Sequence, residues 1–138
     1  MPDAPDATIT YRREPLPDAA AVARLFDAAG LRRPTQDLAR IGRMLQHADL
    51  VLTAWLGTQL VGIARALTDF SYCCYLSDLA VDRAFQRRGI GGELLARVRT
   101  AIGDQCNLLL LSVPEAVDYY PQQGFAPAEH AFLIRRAR

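Results

Sequence analysis

Hydrophobic and polar residues follow two different periods along the first part of the chain. A short alternation over residues 8–12 predicts a first strand. Apolar residues then recur at helical spacing over Ala19–Ala29, where Asp18 can cap the helix and Gly30 can end it. A second helix is predicted to open at Pro34-Thr35. Its predicted apolar face consists of Leu38, Ile41, Met44 and Leu45.

The middle of the chain has the pattern of extended structure. Leu50–Leu56 and residues 60–67 predict two strands of a hairpin around a tight turn at 57–59. Residues 72–81 predict a long third strand. Because the connections between these strands are short, we expect an antiparallel meander.

A glycine-rich turn over residues 86–92 then separates strand from helix. A helix is predicted over 93–102, and the apolar run 108–111 is typical of a strand buried on both faces. A strand, a helix and a second strand in this order predict a βαβ unit whose strands lie side by side and parallel. A short helix over 115–120 and a last strand over 131–135 complete the prediction.

The predicted order of elements, β α α β β β α β α β, indicates an α+β fold. We expect a mixed, mostly antiparallel sheet of six to seven strands, flanked by about four helices. The chain has 138 residues, which is the usual size of one domain, so residues 1–138 are predicted to form a single domain. The Pro/Asp/Ala-rich residues 1–7 are expected to be loose.

Composition and charge narrow the function classes. Hydrophobic residues make up 51% and charged residues 22% of the chain, as in folded globular proteins. All sixteen basic side chains are arginine, yet the net charge is only +1, which argues against nucleic acid as a partner. No apolar run is long enough to span a membrane, and the N-terminus lacks the pattern of a signal peptide, so a cytoplasmic location is expected.

The three cysteines do not suggest a metal site or a disulfide framework. Cys73 and Cys74 are adjacent, Cys106 is distant, and no C-x-x-C pair occurs. We therefore expect no metal.

The turn before the predicted third helix is the strongest chemical signal. It reads Gln86-Arg87-Arg88-Gly89-Ile90-Gly91-Gly92. Glycines allow close backbone approach to a ligand, and the amides of the following helix N-terminus favour an anion such as phosphate. Arginines add charge-assisted donors. The chain has no lysine for a P-loop, and Leu94 occupies the last glycine position of a dinucleotide-binding fingerprint. The simpler alternative to a phosphate site is a strand–helix turn in which the glycines serve only the conformation of the backbone.

Three segments together resemble the GCN5-related N-acetyltransferases. Gln86-x-x-Gly89-x-Gly91 resembles the Q/R-x-x-G-x-G/A signature of that family. Leu79-Ala80-Val81 resembles its preceding L-x-V strand, and the segment from Tyr119 to Phe125 resembles its downstream F/Y-Y-x-x-x-G-F. The order and spacing of the three segments also agree, and the resemblance spans nearly the whole chain.

The resemblance implies acetyl transfer from acetyl-CoA to a primary amine, with direct attack on the thioester. It implies that Tyr120 is the general acid that protonates the departing thiolate, and that the amide of Leu79 is a candidate oxyanion donor. Aromatic packing is the alternative role for Tyr120, and Tyr119 is expected to be the core aromatic of the pair. The implied cofactor contacts fall on Leu79, Ala80, Val81, Gln86, Arg87, Arg88, Gly89, Ile90, Gly91 and Gly92.

Two positions depart from the pattern of the resembled family. Tyr75 stands where the histone-type members carry a glutamate base, and Val113 stands where many members carry an asparagine. Asp78, Glu115, His130 or a chain of water molecules remain as routes for the amine proton. Simple alternation of the strand would place Asp78 on the opposite face from Tyr75.

The acceptor is predicted only as a small molecule with a primary amine. Its pocket could be lined by Trp55, Phe70, Tyr72 and Tyr75, although aromatic residues in strands usually belong to the core. A non-catalytic module that binds or senses acyl-CoA on the same fold is the alternative function. Beyond acetyl-CoA and the amine, no nucleic acid and no membrane is expected as a partner, whereas a homodimer is common in such folds.

Overall fold

A computed structural model describes residues 8–138, which contain one five-stranded sheet. The strands are β1 (Ile9–Arg12), β2 (Leu50–Leu56), β3 (Gln59–Thr68), β4 (Cys73–Val81) and β5 (Asn107–Leu110), and they lie in this order across the sheet. Neighbours from β1 to β4 are antiparallel, whereas β4 and β5 are parallel. The mixed, mostly antiparallel sheet and the parallel pair around the glycine-rich turn are therefore confirmed.

Four helices flank the sheet within residues 8–138, as predicted. They are α1 (Ala19–Ala29), α2 (Leu38–Gln46), α3 (Ile90–Ile102) and α4 (Tyr119–Gln122). Gly30 ends α1 with a φ of 73°, which is the left-handed conformation that glycine adopts without strain. The predicted start of α2 at Pro34-Thr35 is wrong, because the Asp37 carboxylate accepts a hydrogen bond from the Arg40 amide at 3.0 Å and caps the helix at that later position.

The sheet separates two apolar cores. In the α3-side core, helix α3 packs on strands β2, β3 and β4; in the α1/α2-side core, α1 and α2 cover the other face. Ile41 and Leu45 are buried as predicted, but Leu38, the first residue of α2, is 46% exposed. Gly62 brings β3 and α3 together, because a Cβ there would come within 3.0 Å of Ile90 Cγ2.

The C-terminal part differs most from the prediction. Residues 131–135 form no strand, so the described sheet has five strands rather than six to seven. Strand-like composition alone did not produce pairing, although Ala131 and Leu133 line a groove with Leu109 of β5. Phe132 and Ile134 are each 97% exposed.

Two further elements near the C-terminus are corrected. The helix predicted over 115–120 is instead a 3-10 turn at Pro114–Ala116 followed by α4. Strand β5 is not buried on both faces, because it is the last described strand of the sheet and its residues alternate between exposed and half-buried. Within residues 8–138 no helix is long and apolar enough to cross a membrane. The loose segment predicted at 1–7 lies outside the described residues.

Candidate active site

The turn between β4 and α3 is built by local capping interactions. The Asp82 carboxylate accepts a hydrogen bond from the Ala84 amide at 2.9 Å and starts a 3-10 turn over Arg83–Phe85. Phe85 is buried in the α3-side core and fixes this turn to the body of the protein. Gln86 donates from Nε2 to the carbonyl of Val81 at 3.0 Å, so its side chain supports the end of β4.

The glycine-rich segment then presents the first turn of α3 to solvent. Arg87 and Gly89 adopt positive φ values of 66° and 80°, and Gly89 forms the N-cap of α3. Arg87 and Arg88 are exposed, and the Arg88 guanidinium lies 5.1 Å from the Phe85 ring centre. Because the first amides of a helix have no intrahelical acceptor and the helix dipole is positive there, this turn can bind an anion. A Cβ added at Gly89 would meet no atom within 4 Å, so a ligand has room to approach.

Strand β4 leaves its neighbour β5 halfway along its length. The two strands pair from Cys73 with Asn107 to Leu76 with Leu110, where β5 ends. Leu79, Ala80 and Val81 continue to pair with β3 on the other side, so in the described sheet their edge toward β5 is open. An open strand edge offers backbone N–H and C=O groups to an extended ligand.

A β-bulge marks the point where β4 and β5 separate. Leu76 pairs with Ala66 and Asp78 pairs with Arg65, which leaves Ser77 as the extra residue of β4. The bulge inverts the alternation of side chains, since Leu76 and Leu79 both pack toward the α3-side core while Ala80 packs toward the α1/α2-side core. The simple alternation assumed for Asp78 in the sequence is therefore wrong across Ser77.

Tyr120 lies on the short helix α4, in an aromatic group. Its ring packs edge-on against Tyr119 at 5.2 Å and against Phe125 at 5.5 Å between centres. Burial, and then the neighbouring Tyr119, raise the pKa of Tyr120 above its usual value. The phenol is therefore protonated throughout the neutral range and can act as a proton donor.

Tyr119 connects α4 to the glycine-rich turn. It packs against the α3-side core, as expected for the core aromatic of the pair. A Cβ at Gly91 would lie 3.0 Å from the Tyr119 hydroxyl oxygen, which is closer than side chains normally tolerate. Gly91 thus has a role that the sequence did not reveal: it allows α4, and Tyr120 with it, to approach the first turn of α3.

The candidate bases have very different surroundings. The side chain of Asp78 is fully buried and accepts hydrogen bonds from Arg33 Nε, at 2.6 Å, and from Arg65 Nε. A carboxylate held by two guanidinium groups and closed to solvent cannot collect a proton from a bound amine. Glu115 and His130 are exposed, on the 3-10 turn before α4 and in the C-terminal segment.

The aromatic residues considered for an acceptor pocket do not form one group. Trp55 packs in the α1/α2-side core and donates from Nε1 to Thr53 Oγ1 at 2.7 Å. Phe70 and Tyr72 are exposed in the loop that precedes β4, at the opposite end of the strand from the glycine-rich turn. Tyr75 alone borders a groove of about 300 Å³, which is also lined by Leu109, Leu111, Ala131, Phe132 and Leu133.

The structure also shows features that sequence reasoning missed. The buried cluster of Arg33, Arg65 and Asp78 joins the connection between α1 and α2 to β3 and β4. A polar Ser77-Asp78 pair inside an otherwise apolar strand was the one available signal.

Val113, at the position of the family's asparagine, is 37% exposed just before the 3-10 turn. Within residues 8–138 no group of three or more His, Cys, Asp or Glu side chains could hold a metal ion.

Comparison with known proteins places this geometry in a family. The acetyltransferase (GNAT) domain family matches residues 27–133. The chain is 32% identical over 107 residues to the chloroplastic GCN5-related N-acetyltransferase 1 of Arabidopsis thaliana, with 73% of this chain and 52% of that protein covered. The chain thus spans about half the length of that curated relative.

Solved structures share the fold. A GNAT-family acetyltransferase from Streptococcus pneumoniae superposes with a TM-score of 0.70 at 24% identity, covering 94% of this chain and 99% of that chain. An aminoglycoside N-acetyltransferase solved in complex with CoA has a TM-score of 0.69 at 20% identity, covering 95% and 96%. With β4 open beside β5, a glycine-rich turn leading into α3 and a family match over most of its length, this chain belongs to the GNAT acetyltransferase family.

Proposed function

We propose that this chain is an acetyl-CoA-dependent N-acetyltransferase that acetylates a primary amine of a small molecule, with Tyr120 as general acid. One observation carries the proposal: the Tyr119 hydroxyl meets the first turn of α3 at Gly91, which sets α4 beside the anion-binding turn. The open edge of β4 ends at that same turn. A phosphate-binding turn, an extended edge and a protonated phenol are the three parts that this reaction needs.

The described residues fit the parts of acetyl-CoA. The amides from Arg87 to Gly92 and the two exposed arginines would hold its pyrophosphate. The backbone of Leu79, Ala80 and Val81 would pair with the pantetheine arm as an added strand would. Gln86 would act indirectly in this scheme, since its side chain already supports Val81. Acetyl-CoA supplies the activated acetyl group, as a thioester.

The protein contributes position and proton control to this reaction. Fixing an amine beside the thioester supplies much of the rate, because it removes the entropy cost of the encounter. The Tyr120 phenol would donate its proton to the departing thiolate, and the Leu79 amide would donate to the carbonyl oxygen. Since Asp78 is buried between two arginines, we assign removal of the amine proton to water.

The test compares Tyr120→Phe with the control variant Tyr72→Phe, at an exposed tyrosine in the loop before β4. Acetyl-CoA binding is measured by calorimetry, and turnover by thiol release with a panel of small amines. For Tyr120→Phe we expect kcat to fall on the order of 100-fold with unchanged acetyl-CoA affinity, as for loss of a general acid. Tyr72→Phe should remain close to the wild type, because it removes an exposed hydroxyl at the opposite end of β4 from the glycine-rich turn.

The pH dependence of the rate is a second test of the Tyr120→Phe variant. Because burial raises the pKa of Tyr120, the wild-type rate should hold at neutral pH and fall only at alkaline pH, above the usual pKa of a tyrosine phenol. Tyr120→Phe should lack that alkaline limb. A wild-type protein that binds acetyl-CoA and acetylates no amine would instead support the alternative, a non-catalytic acyl-CoA-binding or sensor module.

The proposal on partners and location is separate from the chemistry. We propose a homodimer, supported by the near-complete exposure of Phe132 and Ile134, since large apolar side chains on a surface are typical of a covered interface. Sedimentation of the wild type and of the Phe132→Ser/Ile134→Ser variant tests it: both would be monomers if no second copy binds there. A single N-acetyltransferase domain over residues 1–138 and a cytoplasmic location also stay predictions.

A further inference from the structure

A buried ionic cluster lies next to the open edge of β4. Asp78 is 1% exposed, and its two carboxylate oxygens accept hydrogen bonds from different arginines, Arg33 and Arg65. Arg65 comes from β3, where it is the register partner of Asp78. Arg33 comes from the connection between α1 and α2. Three separate elements therefore meet at a single carboxylate.

The same two arginines also hold the bulge residue. Arg65 donates from a terminal nitrogen to Ser77 Oγ at 2.9 Å, and Arg33 donates to the Ser77 carbonyl at 2.8 Å. Ser77 is the extra residue of β4 and has no register partner on β3. Both the backbone and the side chain of the bulge are thus held by the cluster.

The bulge determines which face of the sheet each side chain of β4 after Ser77 points to. The last pair between β4 and β5 is Leu76 with Leu110, directly before Ser77. A bulge bends its strand and increases the local twist, so its location accounts for the separation of the two strands. If Ser77 were paired regularly, the side chains that follow it would exchange faces, and the Asp78 carboxylate would point toward the α3-side core.

The cluster is better suited to fixing this geometry than to adding stability. Replacing a buried ion pair by apolar residues of similar volume is often neutral or stabilising, because burial of charge is costly. An apolar cluster, however, has no donors with which to hold the Ser77 carbonyl and hydroxyl. The ionic cluster supplies these donors, since Arg33 and Arg65 donate directional hydrogen bonds to the Ser77 carbonyl and hydroxyl.

We propose that Arg33, Arg65 and Asp78 are positioning residues that clamp the bulge at Ser77. The clamp holds the edge of Leu79–Val81 apart from β5, at the width that the pantetheine arm of acetyl-CoA requires. Through Arg33 it also fixes the connection between α1 and α2 at the point where the two strands separate. This inference rests on the proposed function.

The experiment separates the strand edge from the glycine-rich turn by using two ligands. Acetyl-CoA engages both parts, whereas ADP carries a pyrophosphate without a pantetheine arm. The variant is Arg33→Met/Arg65→Met/Asp78→Leu, which replaces the cluster by apolar side chains of similar size. Arg43→Gln, at an exposed position on α2, is the control for loss of an arginine. Binding is measured by calorimetry for acetyl-CoA and by NMR titration for ADP.

We expect the triple variant to unfold cooperatively and to bind acetyl-CoA at least tenfold more weakly, with ADP affinity within twofold of the wild type. Acetyl-CoA affinity within twofold of the wild type overturns the inference, and so does an equal loss for both ligands. If the triple variant does not fold, Arg33→Gln keeps the Arg65–Asp78 pair and decides, with an expected threefold loss for acetyl-CoA alone. A wild-type protein that binds no acetyl-CoA contradicts the proposed function instead.

Discussion

Two pairs of arginines lie at the two ends of the open edge of β4, and they differ in burial and in their partners. Arg33 and Arg65 surround the buried carboxylate of Asp78, and their donors are used by Asp78 and Ser77. Arg87 and Arg88 are exposed at the turn before α3. The chemistry of the side chains is the same, but the first pair is held around a buried carboxylate and the second lies at the surface, where an anion can bind.

The comparison shows that burial and the neighbouring groups determine whether a guanidinium group supports the fold or is available to bind an anion. A buried arginine must be paired, because leaving its charge without a partner costs several kcal/mol. An exposed arginine is hydrated, so it can exchange water for a phosphate at little cost to stability. Substitutions at the first pair should therefore change folding and the geometry of the strand edge, whereas substitutions at the second pair should change ligand binding alone.

Loss of the buried carboxylate should have the largest effect. We expect Asp78→Ala to lower the free energy of unfolding by about 3–5 kcal/mol, since two guanidinium groups would lose their shared partner. Urea denaturation measures it. Asp27→Ala, at an exposed aspartate that accepts from Thr35, is the control and should cost less than about 1 kcal/mol. Equal effects of the two substitutions would remove the distinction between buried and exposed charge.

Neutralising the exposed pair should act on binding alone. For Arg87→Gln/Arg88→Gln we expect acetyl-CoA to bind about tenfold more weakly, which corresponds to about 1.4 kcal/mol, while stability changes by less than about 0.5 kcal/mol. Calorimetry at two salt concentrations measures the affinity and its electrostatic part. If affinity stays unchanged, the amides of the turn hold the pyrophosphate without help from these side chains.

The backbone of the turn can be tested apart from its charge. Gly89→Ala should cost about 1 kcal/mol, because a residue with a Cβ is strained at a φ of 80° even though the space around it is open. Gly42→Ala is a matched control inside α2, where a Cβ meets no atom within 4 Å, and it should stabilise by up to about 1 kcal/mol. Thermal unfolding compares the two, and opposite signs are expected.

A surface ion pair on α3 should have the smallest effect. Glu93 and Arg97 form a 2.8 Å pair one turn apart, and both side chains are about half exposed. We expect Glu93→Gln to change the free energy of unfolding by less than about 0.5 kcal/mol, because water and salt screen such pairs. A loss above 1 kcal/mol in urea denaturation would show that exposed and buried arginine pairs are closer in energy than proposed.

Sequence reasoning succeeded where structure is decided locally. Helical spacing and the Gly30 cap predicted α1, and the hairpin of β2 and β3 followed from alternation around a short turn. The glycine-rich turn could be identified because its residues are adjacent in the chain. The structure confirms its position before α3. The strand predicted at 131–135 failed because strand-like composition over a few residues does not determine whether a segment pairs with a sheet edge, even where Ala131 and Leu133 lie near Leu109 of β5.

The sequence by itself determined the types of the elements from β1 to β5 and each of the GNAT motifs, because each of these depends on residues close together in the chain, and the strand–helix–strand order then predicted the parallel pair around α3. Only the tertiary structure decided the roles of Asp78 and Gly91. A carboxylate considered as a base is enclosed by Arg33 and Arg65, and a glycine considered for ligand approach also makes room for the Tyr119 hydroxyl. Both outcomes depend on where β3, β4, α4 and the α1–α2 connection meet, and periodicity along one segment carries no information about such meetings.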